Sequence, residues 1–405
     1  MVTYVKLGDL AVLTAEIIKT VKETGPVLAE HGVAITDLFY KKLFLNHPEL
    51  KNIFNMANQA QGKQSKALAE SVFMYASFID QLESLTPMVK RIAHKHASLS
   101  IQPEHYPIVG KYLLESVQEH LGLEDNHPIL AAWAVAYEAL AAIFIDVEES
   151  IYSENENKEG GWRAFKPFLI EQIVDEAKGV KSFYLHPEDK QVVAFEPGQY
   201  VGVKTKPAND GYEEIRQYSI SNTPGDSFYR ITVKAEDENR VNPGVVSNYL
   251  HTAKVGDSIW LQPPTGDFVL QDNMRRKVFI AGGVGVTPVL SMLLNTLKEV
   301  DGEKITFIQC SRDKDHHIMA EKLAGLQQEH GFEYYVSYDT CEGGDHQGYL
   351  TQDVLQNWLP KEEADVYFCG PKDFMSAVNK HCEALGYQED QLHYEVFGPT
   401  TKISS

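Results

Sequence analysis

The sequence predicts a multidomain protein in three parts: an all-α domain, then an antiparallel β-barrel, then an α/β domain built on a doubly wound parallel sheet. Three successive patterns along the 405 residues indicate this order. Apolar residues recur at three- and four-residue steps from residue 10 to about 150, which is the helical period. Short β-rich runs alternate with turn residues up to about 273, and strands alternate with helices from 276 onward.

The predicted boundaries follow these changes. The helical domain covers 1–152, a polar linker 153–161, the barrel 162–273 and the α/β domain 274–405. The linker is placed at the stretch SENENKEGG, because Glu, Asn and Gly favour a helix end and an exposed connection. A chain of this length has room for two or three hydrophobic cores.

The individual elements rest on local patterns. One helical stripe contains Val72, Phe73, Tyr75, Ala76 and Ile79, and another contains Trp133, Tyr137, Leu140, Ala141 and Phe144. The predicted barrel strands are 199–203, 217–220, 229–233 and 258–261. The predicted α/β strands are 277–281, 305–309, 334–337 and 365–369, with a helix at 289–300.

Charge and composition exclude some classes of partner. The net charge of −20 repels nucleic acid and anionic membranes. The start, MVTYVKLGDL, lacks the basic and apolar regions of a secretory signal. The longest apolar stretch is taken to be 278–294, which glycines and a proline interrupt and which falls short of a membrane span. We therefore expect a cytoplasmic monomer that does not cross a membrane.

Metal ligands are restricted by residue type. The four cysteines, Cys310, Cys341, Cys369 and Cys382, match neither a zinc nor an iron–sulfur spacing, and none lies in the first half. The chain has fifteen histidines. In the segment RIAHKHAS, His94 and His96 lie about 200° apart around a helix, so at most one of them faces a pocket.

The segment Arg216–Ser219 (RQYS) is the strongest motif of the predicted barrel. Strand alternation places Arg216 and Tyr218 on one face, and Gln217 and Ser219 on the other. One strand can therefore present a cation for a pyrophosphate, an aromatic ring for a flavin and a hydroxyl for its reactive nitrogen. The turn 197–200 (PGQY) and the helix start 244–247 (GVVS) are, taken alone, ordinary turn and cap sequences.

A glycine-rich turn opens the predicted α/β domain. The stretch KVFIAGGVGVTP contains a strand, a turn in which phosphate can approach the backbone, and a proline suited to a first helical turn. It lacks the spacing of the common dinucleotide fingerprint. Arg312 follows the second strand, where it can reach a 2′-phosphate, whereas Asp313 repels that group and suits a ribose hydroxyl. The pattern leans towards NADH but leaves NADPH open.

Across the whole chain apart from about ten N-terminal residues, these motifs resemble the flavohaemoglobins of bacteria and yeast. The order of Tyr40, Pro48, Phe54, Gln64, Leu68 and Lys95–His96 resembles their globin domain. The later motifs resemble the ferredoxin–NADP reductase superfamily: PGQY, R-x-Y-S, G-x-x-S, G-x-G-x-T-P, C-G-P and the closing segment HYEVFGP. Val286 departs from the Gln of many flavohaemoglobins.

For the globin, the resemblance implies a haem b site. His96 is the proximal iron ligand, and Tyr106 and Glu148 form a hydrogen-bond set with it. Phe54 stacks on the haem, Tyr40 and Gln64 hydrogen-bond a distal gas ligand, and Leu68 crowds the gas site. Lys95 faces the flavin domain. Without the resemblance, the alternative interpretation is that Glu148 is a solvated carboxylate, Tyr40 a core residue and Gln64 a surface amide.

For the reductase part, the resemblance implies FAD and NADH or NADPH. Tyr200 lies near the adenine end of FAD, Phe397 shields the flavin and Glu395 lies close to the flavin–haem junction. Cys369 either approaches the hydride path or is a buried thiol. The remaining residues implied to hold the two nucleotides are Arg216, Gln217, Tyr218, Ser219, Gly244, Val245, Val246, Ser247, Gly283, Val284, Gly285, Val286, Thr287, Pro288, Gly370, Pro371, Val396, Gly398 and Pro399.

The activity implied by the resemblance is nitric oxide dioxygenase. NAD(P)H reduces FAD, FAD reduces the haem one electron at a time, and the oxygenated haem converts NO to nitrate. Two alternatives stay open. One is a sensor or store of O₂ or NO, which needs no fused reductase; the other is a flavin reductase acting on other acceptors, including lipid hydroperoxides. A distal pocket rich in Phe and Leu allows an apolar lipid guest.

Overall fold

The computed structural model describes residues 13–56, 59, 62–206, 211–236 and 244–398. The chain forms two compact units. The first contains residues 1–157, 162–164 and 205–215, and the second contains 158–161, 165–204 and 216–405. Fold statements below concern the described residues of each unit.

The first unit contains five long helices in the part of it that is described. They are α1 (Ala15–Asn46), α2 (Lys63–Ser77), α3 (Thr86–Ser98), α4 (His105–Leu121) and α5 (Pro128–Asn157), with short 3₁₀ turns at Pro48–Asn52 and Leu82–Leu85. The Thr14 side chain caps the start of α1 by accepting from the Ile17 N–H. The two predicted apolar stripes pack into one core, where Tyr75 and Trp133 are buried, except that Phe73 is exposed.

Helix α5 corrects two expectations. It continues to Asn157, into the stretch predicted as linker, because Tyr152 and Asn155 are buried on it. It also contains a longer apolar segment than 278–294, since an 18-residue window of it has a mean hydropathy of 1.9, enough to cross a membrane by length and composition alone. The core helix of a globular domain meets the same criterion, and Ala132, Trp133 and Ala136 pack in the core.

Residues 205–215, which the sequence analysis assigns to the barrel segment, group with the first unit. The backbone N–H of Glu213 donates to the side-chain oxygen of Asn52 at 2.7 Å. The Lys51 ammonium lies 5.4 Å from the centre of the Tyr212 ring. The 3₁₀ turn Pro48–Asn52 is therefore the point at which this segment attaches.

The barrel is a six-stranded antiparallel sheet. Its strands are β1 (Lys166–Ala177), β2 (Val180–Pro187), β3 (Tyr200–Thr205), β4 (Glu214–Ser219), β5 (Tyr229–Lys234) and β6 (Ser258–Leu261), in the order β4-β3-β6-β1-β2-β5. A bridge from Ile220 to Ile231 joins the end of β4 to β5 and closes the sheet. Helix α6 (Val245–Thr252) follows β5. The sequence pattern missed β1 and β2; in β1, charged residues obscure the alternation.

The last part is a parallel six-stranded sheet in the order β10-β9-β8-β7-β11-β12. Its strands are β7 (Arg276–Gly282), β8 (Ile305–Ser311), β9 (Glu333–Tyr338), β10 (His346–Gln347), β11 (Ala364–Cys369) and β12 (Leu392–Glu395). The helices are α7 (Val286–Thr296), α8 (Ala320–His330), α9 (Gln352–Trp358) and α10 (Lys372–Ala384). The predicted all-α, antiparallel and parallel order of the three parts is confirmed.

A buried polar network beside β8 and β9 holds His317 in its neutral form. Nδ1 of His317 lies 2.8 Å from the Tyr338 hydroxyl, and Nε2 lies 2.9 Å from both Gln309 Oε1 and the Tyr334 hydroxyl. These contacts fit a neutral ring that accepts from Tyr338 and donates to Gln309. Burial lowers the pKa of His317 from 6.5 to about 4.

This depressed pKa makes the α/β domain sensitive to acid. The unfolded chain binds a proton at His317 below pH 6.5, whereas the folded chain resists it until about pH 4. The stabilisation that comes from neutral His317 is therefore fully present above pH 6.5 and is lost as the pH falls towards 4. Between pH 7 and pH 4.5 we expect His317 to contribute a loss of about 2–3 kcal/mol. Denaturant unfolding at pH 7 and pH 4.5 measures the loss of unfolding free energy between the two pH values. This loss should be smaller in His317→Gln than in the wild type, and unchanged in the control His381→Gln. An equal loss in all three proteins would contradict the prediction.

Candidate cofactor sites

The proximal group of the globin is built from three helices. His96 lies in the last turns of α3, Tyr106 in the first turn of α4 and Glu148 near the end of α5. Nδ1 of His96 is 2.6 Å from Glu148 Oε1, and the Tyr106 hydroxyl donates to the same oxygen at 2.5 Å. The Glu148 side chain is only 3% exposed. The structure thus brings together the three predicted proximal residues.

This arrangement fits a haem ligand. The hydrogen bond to Glu148 occupies Nδ1 of His96 and leaves Nε2 to bind iron. Burial, together with the Glu148 charge, raises the pKa of Tyr106, so its hydroxyl stays a donor. Phe144 lies 5.6 Å from the His96 ring and fixes its orientation by packing. Glu148 is a buried hydrogen-bond acceptor and not the solvated carboxylate of the alternative interpretation.

The distal group is an apolar cluster with two polar atoms. Tyr40 is buried among Phe39, Leu43 and Leu50, and Phe54 and Leu68 pack against them. Burial raises the pKa of the Tyr40 hydroxyl well above its usual value. Within the described residues, the buried Oε1 of Gln64 has no hydrogen-bond partner. An unpaired buried polar atom is costly, so its presence fits a pocket for a small polar ligand.

Gln64 and Leu68 lie four residues apart on α2 and therefore share a face, as the spacing predicts. Helix α4 contributes to both groups, since it carries Tyr106 on the proximal side and Ile108 and Val109 against the distal cluster. Lys95 lies in the last turn of α3 beside His96. Its predicted orientation towards the flavin domain stays a prediction.

The predicted flavin motif, Arg216–Ser219, forms the last four residues of strand β4. Arg216, Gln217 and Tyr218 are half-buried, and Ser219 is buried. Burial raises the pKa of Tyr218, the positive charge of Arg216 lowers it and the negative charge of Glu236 raises it. The Tyr218 hydroxyl is therefore within the electrostatic influence of one cation and one anion.

Glu236 is a residue that the sequence analysis missed. Its backbone N–H donates to Ser247 Oγ at 3.4 Å, and its Cβ lies 2.7 Å from where a side chain at Gly244 would begin. Gly244 caps helix α6 with no side-chain hydrogen bond, so the backbone N–H groups of Val245 and its neighbours stay available to a phosphate. Glu236 thus joins the two predicted pyrophosphate elements, and no motif marks it.

Tyr200 lies in a position set by glycines. Gly198 has φ +104°, and a Cβ there would lie 2.0 Å from the Phe268 carbonyl oxygen. Gly266 lies against the Tyr200 ring, where a Cβ would come within 3.1 Å. Burial and the nearby Glu395 charge raise the pKa of Tyr200. The predicted positions of Tyr200 near the adenine end of FAD and of Glu395 near the flavin–haem junction both stay predictions.

The α/β domain has its glycine-rich turn at a topological switch point. From β7 the chain builds the sheet in one direction through β8, β9 and β10, and in the other through β11 and β12. Ligands bind at the carboxyl ends of the strands beside such a reversal. Gly283–Gly285 follows β7 there, and Cys369–Pro371 follows the adjacent β11.

The two turns touch through their backbones. A Cβ on Gly285 would lie 2.1 Å from the Cys369 carbonyl oxygen, so only glycine fits. Val286, Thr287 and Pro288 form the buried first turn of α7, with Val284 just before it. Gly370 and Gly282 both lie against the Phe374 ring, a second residue that the motifs do not reveal.

Cys369 is fully buried, and its thiol donates to the Glu395 carbonyl at 3.6 Å. Burial raises the pKa of Cys369 well above its usual value, so it is a neutral thiol and not a thiolate. In the closing segment, Glu395 ends β12 and Val396 packs on the core. Phe397 is half-exposed beside Gly398, and Pro399 lies outside the described residues.

Comparison with known families matches all three parts. Residues 37–144 match the globin family, 169–270 the oxidoreductase FAD-binding domain and 279–380 the oxidoreductase NAD-binding domain. The flavohemoprotein of Oceanobacillus iheyensis is 44% identical over 398 residues, covering 96% of this chain and 97% of that protein. The chain belongs to the flavohemoprotein family.

Other flavohemoproteins extend the comparison. That of Bacillus subtilis is 40% identical and covers 96% of this chain and 98% of that protein. The crystal structure of the Malassezia yamatoensis flavohemoglobin, which has bound FAD and heme, superposes with a TM-score of 0.84 at 27% identity over 95% of this chain and all of that one. This flavohemoprotein is therefore an oxidoreductase whose cofactors are haem, FAD and a nicotinamide nucleotide.

The proximal group leads to a spectroscopic prediction. Glu148→Gln keeps a hydrogen-bond acceptor but removes the charge, so the His96 ring becomes less basic and the iron–histidine bond weaker. Resonance Raman spectra of the ferrous protein should show a lower iron–histidine stretching frequency, with haem affinity reduced by about tenfold. Glu149→Gln is the matched control, because the neighbouring Glu149 is exposed and paired with Arg163. An unchanged frequency in Glu148→Gln would show that the carboxylate has no influence on the ligand.

Proposed function

We propose that this flavohemoprotein is an NAD(P)H-dependent nitric oxide dioxygenase that removes NO as nitrate. Each nitrate takes one NO, one O₂ and one electron, so one NAD(P)H supports two turnovers. When bound, FAD splits the hydride pair into single electrons, and the haem iron, which changes charge by one, binds the gas. The family and its three domains support this direction of electron flow.

The observation that carries the proposal is the Glu148–His96–Tyr106 group. A buried carboxylate on Nδ1 makes the ring a stronger electron donor, and an electron-rich axial ligand favours activation of O₂ over its storage. A store or sensor needs neither this ligand nor a fused reductase. Both features therefore favour an enzyme that turns over rather than a sensor or store of O₂ or NO.

The distal residues supply hydrogen-bond donors for a bound gas molecule. The Tyr40 hydroxyl remains protonated because burial raises its pKa, so it can donate to a bound gas molecule. Gln64 lies on α2 with its amide oxygen unpaired in the described structure, and its amide nitrogen can donate. Two donors in an apolar pocket stabilise a ligand that gains negative charge. The apolar side chains around Tyr40 also suit an apolar guest, which is the remaining alternative.

The site beside β8 supports a preference for NADH. Arg312 is paired with Asp313 at 3.3 Å and with His316 at 2.5 Å, and His316 Nδ1 lies 2.5 Å from Asp313. The 2′-phosphate of NADPH has to break the Arg312–Asp313 pair and meets the Asp313 charge. A ribose hydroxyl meets neither penalty and can donate to the carboxylate.

We also place the enzyme in the cytoplasm. All four cysteines are free, and three of them are buried. Free thiols are typical of a reducing compartment. NADH and NADPH are supplied in the same compartment.

The central test uses His96→Ala. The wild-type protein should consume NO only when O₂ and NADH are both present and should form nitrate. His96→Ala should lose nearly all of this activity, while NADH-driven reduction of ferricyanide through the flavin should continue at the wild-type rate. That second activity shows that the reductase part is intact. Undiminished NO consumption by His96→Ala would overturn the proposal.

The nucleotide preference has its own test. In Asp313→Asn the repelling charge is gone and Arg312 is released, so the kcat/KM ratio of NADPH to NADH should rise by about tenfold. Steady-state ferricyanide reduction with each nucleotide measures the ratio. Adding Arg312→Ala to this variant should remove the gain. A ratio that stays at the wild-type value would show that Asp313 does not discriminate.

A further inference from the structure

Two histidines from different helices meet at the surface of the globin unit. His31 lies in the middle of α1, and His120 lies in the last turn of α4. Nε2 of His120 is 3.2 Å from Nδ1 of His31. The ring centres are 5.1 Å apart and the ring planes are inclined at 57°. Neither residue belongs to the haem, flavin or nicotinamide groups described above.

The spacing matches two nitrogens bound to one metal ion. Imidazole nitrogens bind divalent zinc at about 2.0–2.1 Å, so two of them at an angle of about 95–110° lie about 3.0–3.4 Å apart. The ring centres then lie about 5 Å apart, since each centre is about 1.2 Å behind its nitrogen. A straight hydrogen bond of the same length would separate the ring centres by about 5.5 Å. The observed 5.1 Å therefore fits nitrogens that converge on a common point.

The surroundings favour a cation. His120 lies at the carboxyl end of α4, where the helix dipole is negative. The chain carries a net charge of −20, which raises the local concentration of cations. Among the described residues, no group of three or more His, Cys, Asp or Glu side chains is arranged to hold a metal. Two imidazoles with water in the other positions suit Cu²⁺, Ni²⁺ or Zn²⁺, whereas Mg²⁺ and Ca²⁺ require oxygen ligands.

We propose that His31 and His120 form a two-histidine chelate for a late divalent transition-metal ion. The bound ion links α1 to α4, the helices that carry Tyr40 and Tyr106. Because the pair is held at the correct spacing only in the folded globin, binding stabilises the folded state. The site is separate from the proposed dioxygenase reaction and does not depend on it.

The test uses Ni²⁺ alone as the probe and the full chain loaded with haem and FAD. All proteins carry Cys341→Ser, because the other three cysteines are buried and Cys341 is not. Calorimetric titration should give one Ni²⁺ per chain and a thermal midpoint that rises with Ni²⁺. His31→Gln and His120→Gln should each weaken binding by about 100-fold, since one imidazole alone loses the advantage of two linked ligands. His330→Gln, at the end of α8, should bind as the parent does.

Electron paramagnetic resonance with Cu²⁺ provides an independent readout. The parent should show coupling to two imidazole nitrogens, and each glutamine variant should show one or none. Unaltered haem and flavin absorption, with an unaltered thermal midpoint in chelator, shows that the variants are folded. Equal Ni²⁺ affinity in the parent and both glutamine variants, or coupling to a single nitrogen in the parent, would overturn the chelate.

Discussion

The carboxylate of Glu148 is the interaction on which the globin site depends. It is buried, and a buried charge is stable only when hydrogen bonds replace the water it has lost. Tyr106 and His96 supply these bonds from two other helices. Three helices must therefore keep their relative positions for the charge to stay satisfied. The same hydrogen bonds orient the His96 ring and set its basicity. They therefore determine both the positions of the three helices and the ligand properties of His96.

The reductase part depends on a different constraint, which is the close approach of backbones. Gly198 allows the chain to pass beside Phe268, and Gly285 allows the turn after β7 to touch the turn after β11. In both cases a single Cβ would overlap a carbonyl oxygen. The globin site thus depends on a buried charge, whereas these turns of the reductase part depend on positions that have no side chain.

The sequence predicts this architecture well where the signals are local. Helical and strand periods mark the three parts, and the motifs around His96, Arg216 and Gly283 mark the candidate sites. Contacts between segments distant in sequence carry no such signal. The backbone N–H of Glu236 donates to Ser247, Phe374 lies against both Gly282 and Gly370, and the backbone N–H of Glu213 donates to Asn52. Strand β1 was missed for a local reason, because charged residues mask its alternation.

His317 and His96 show why residue type alone does not identify a ligand. Both ring nitrogens of His317 are used by Tyr338, Tyr334 and Gln309, so the ring has no position left for a metal. Its lowered pKa reflects burial without a charged partner. Among the described residues, the hydrogen-bond contacts of His96 are made by Nδ1 alone, with the Glu148 carboxylate at 2.6 Å and the Tyr106 hydroxyl at 3.2 Å. The number of nitrogens left over, and the charge behind the ring, separate a structural histidine from one that can hold iron.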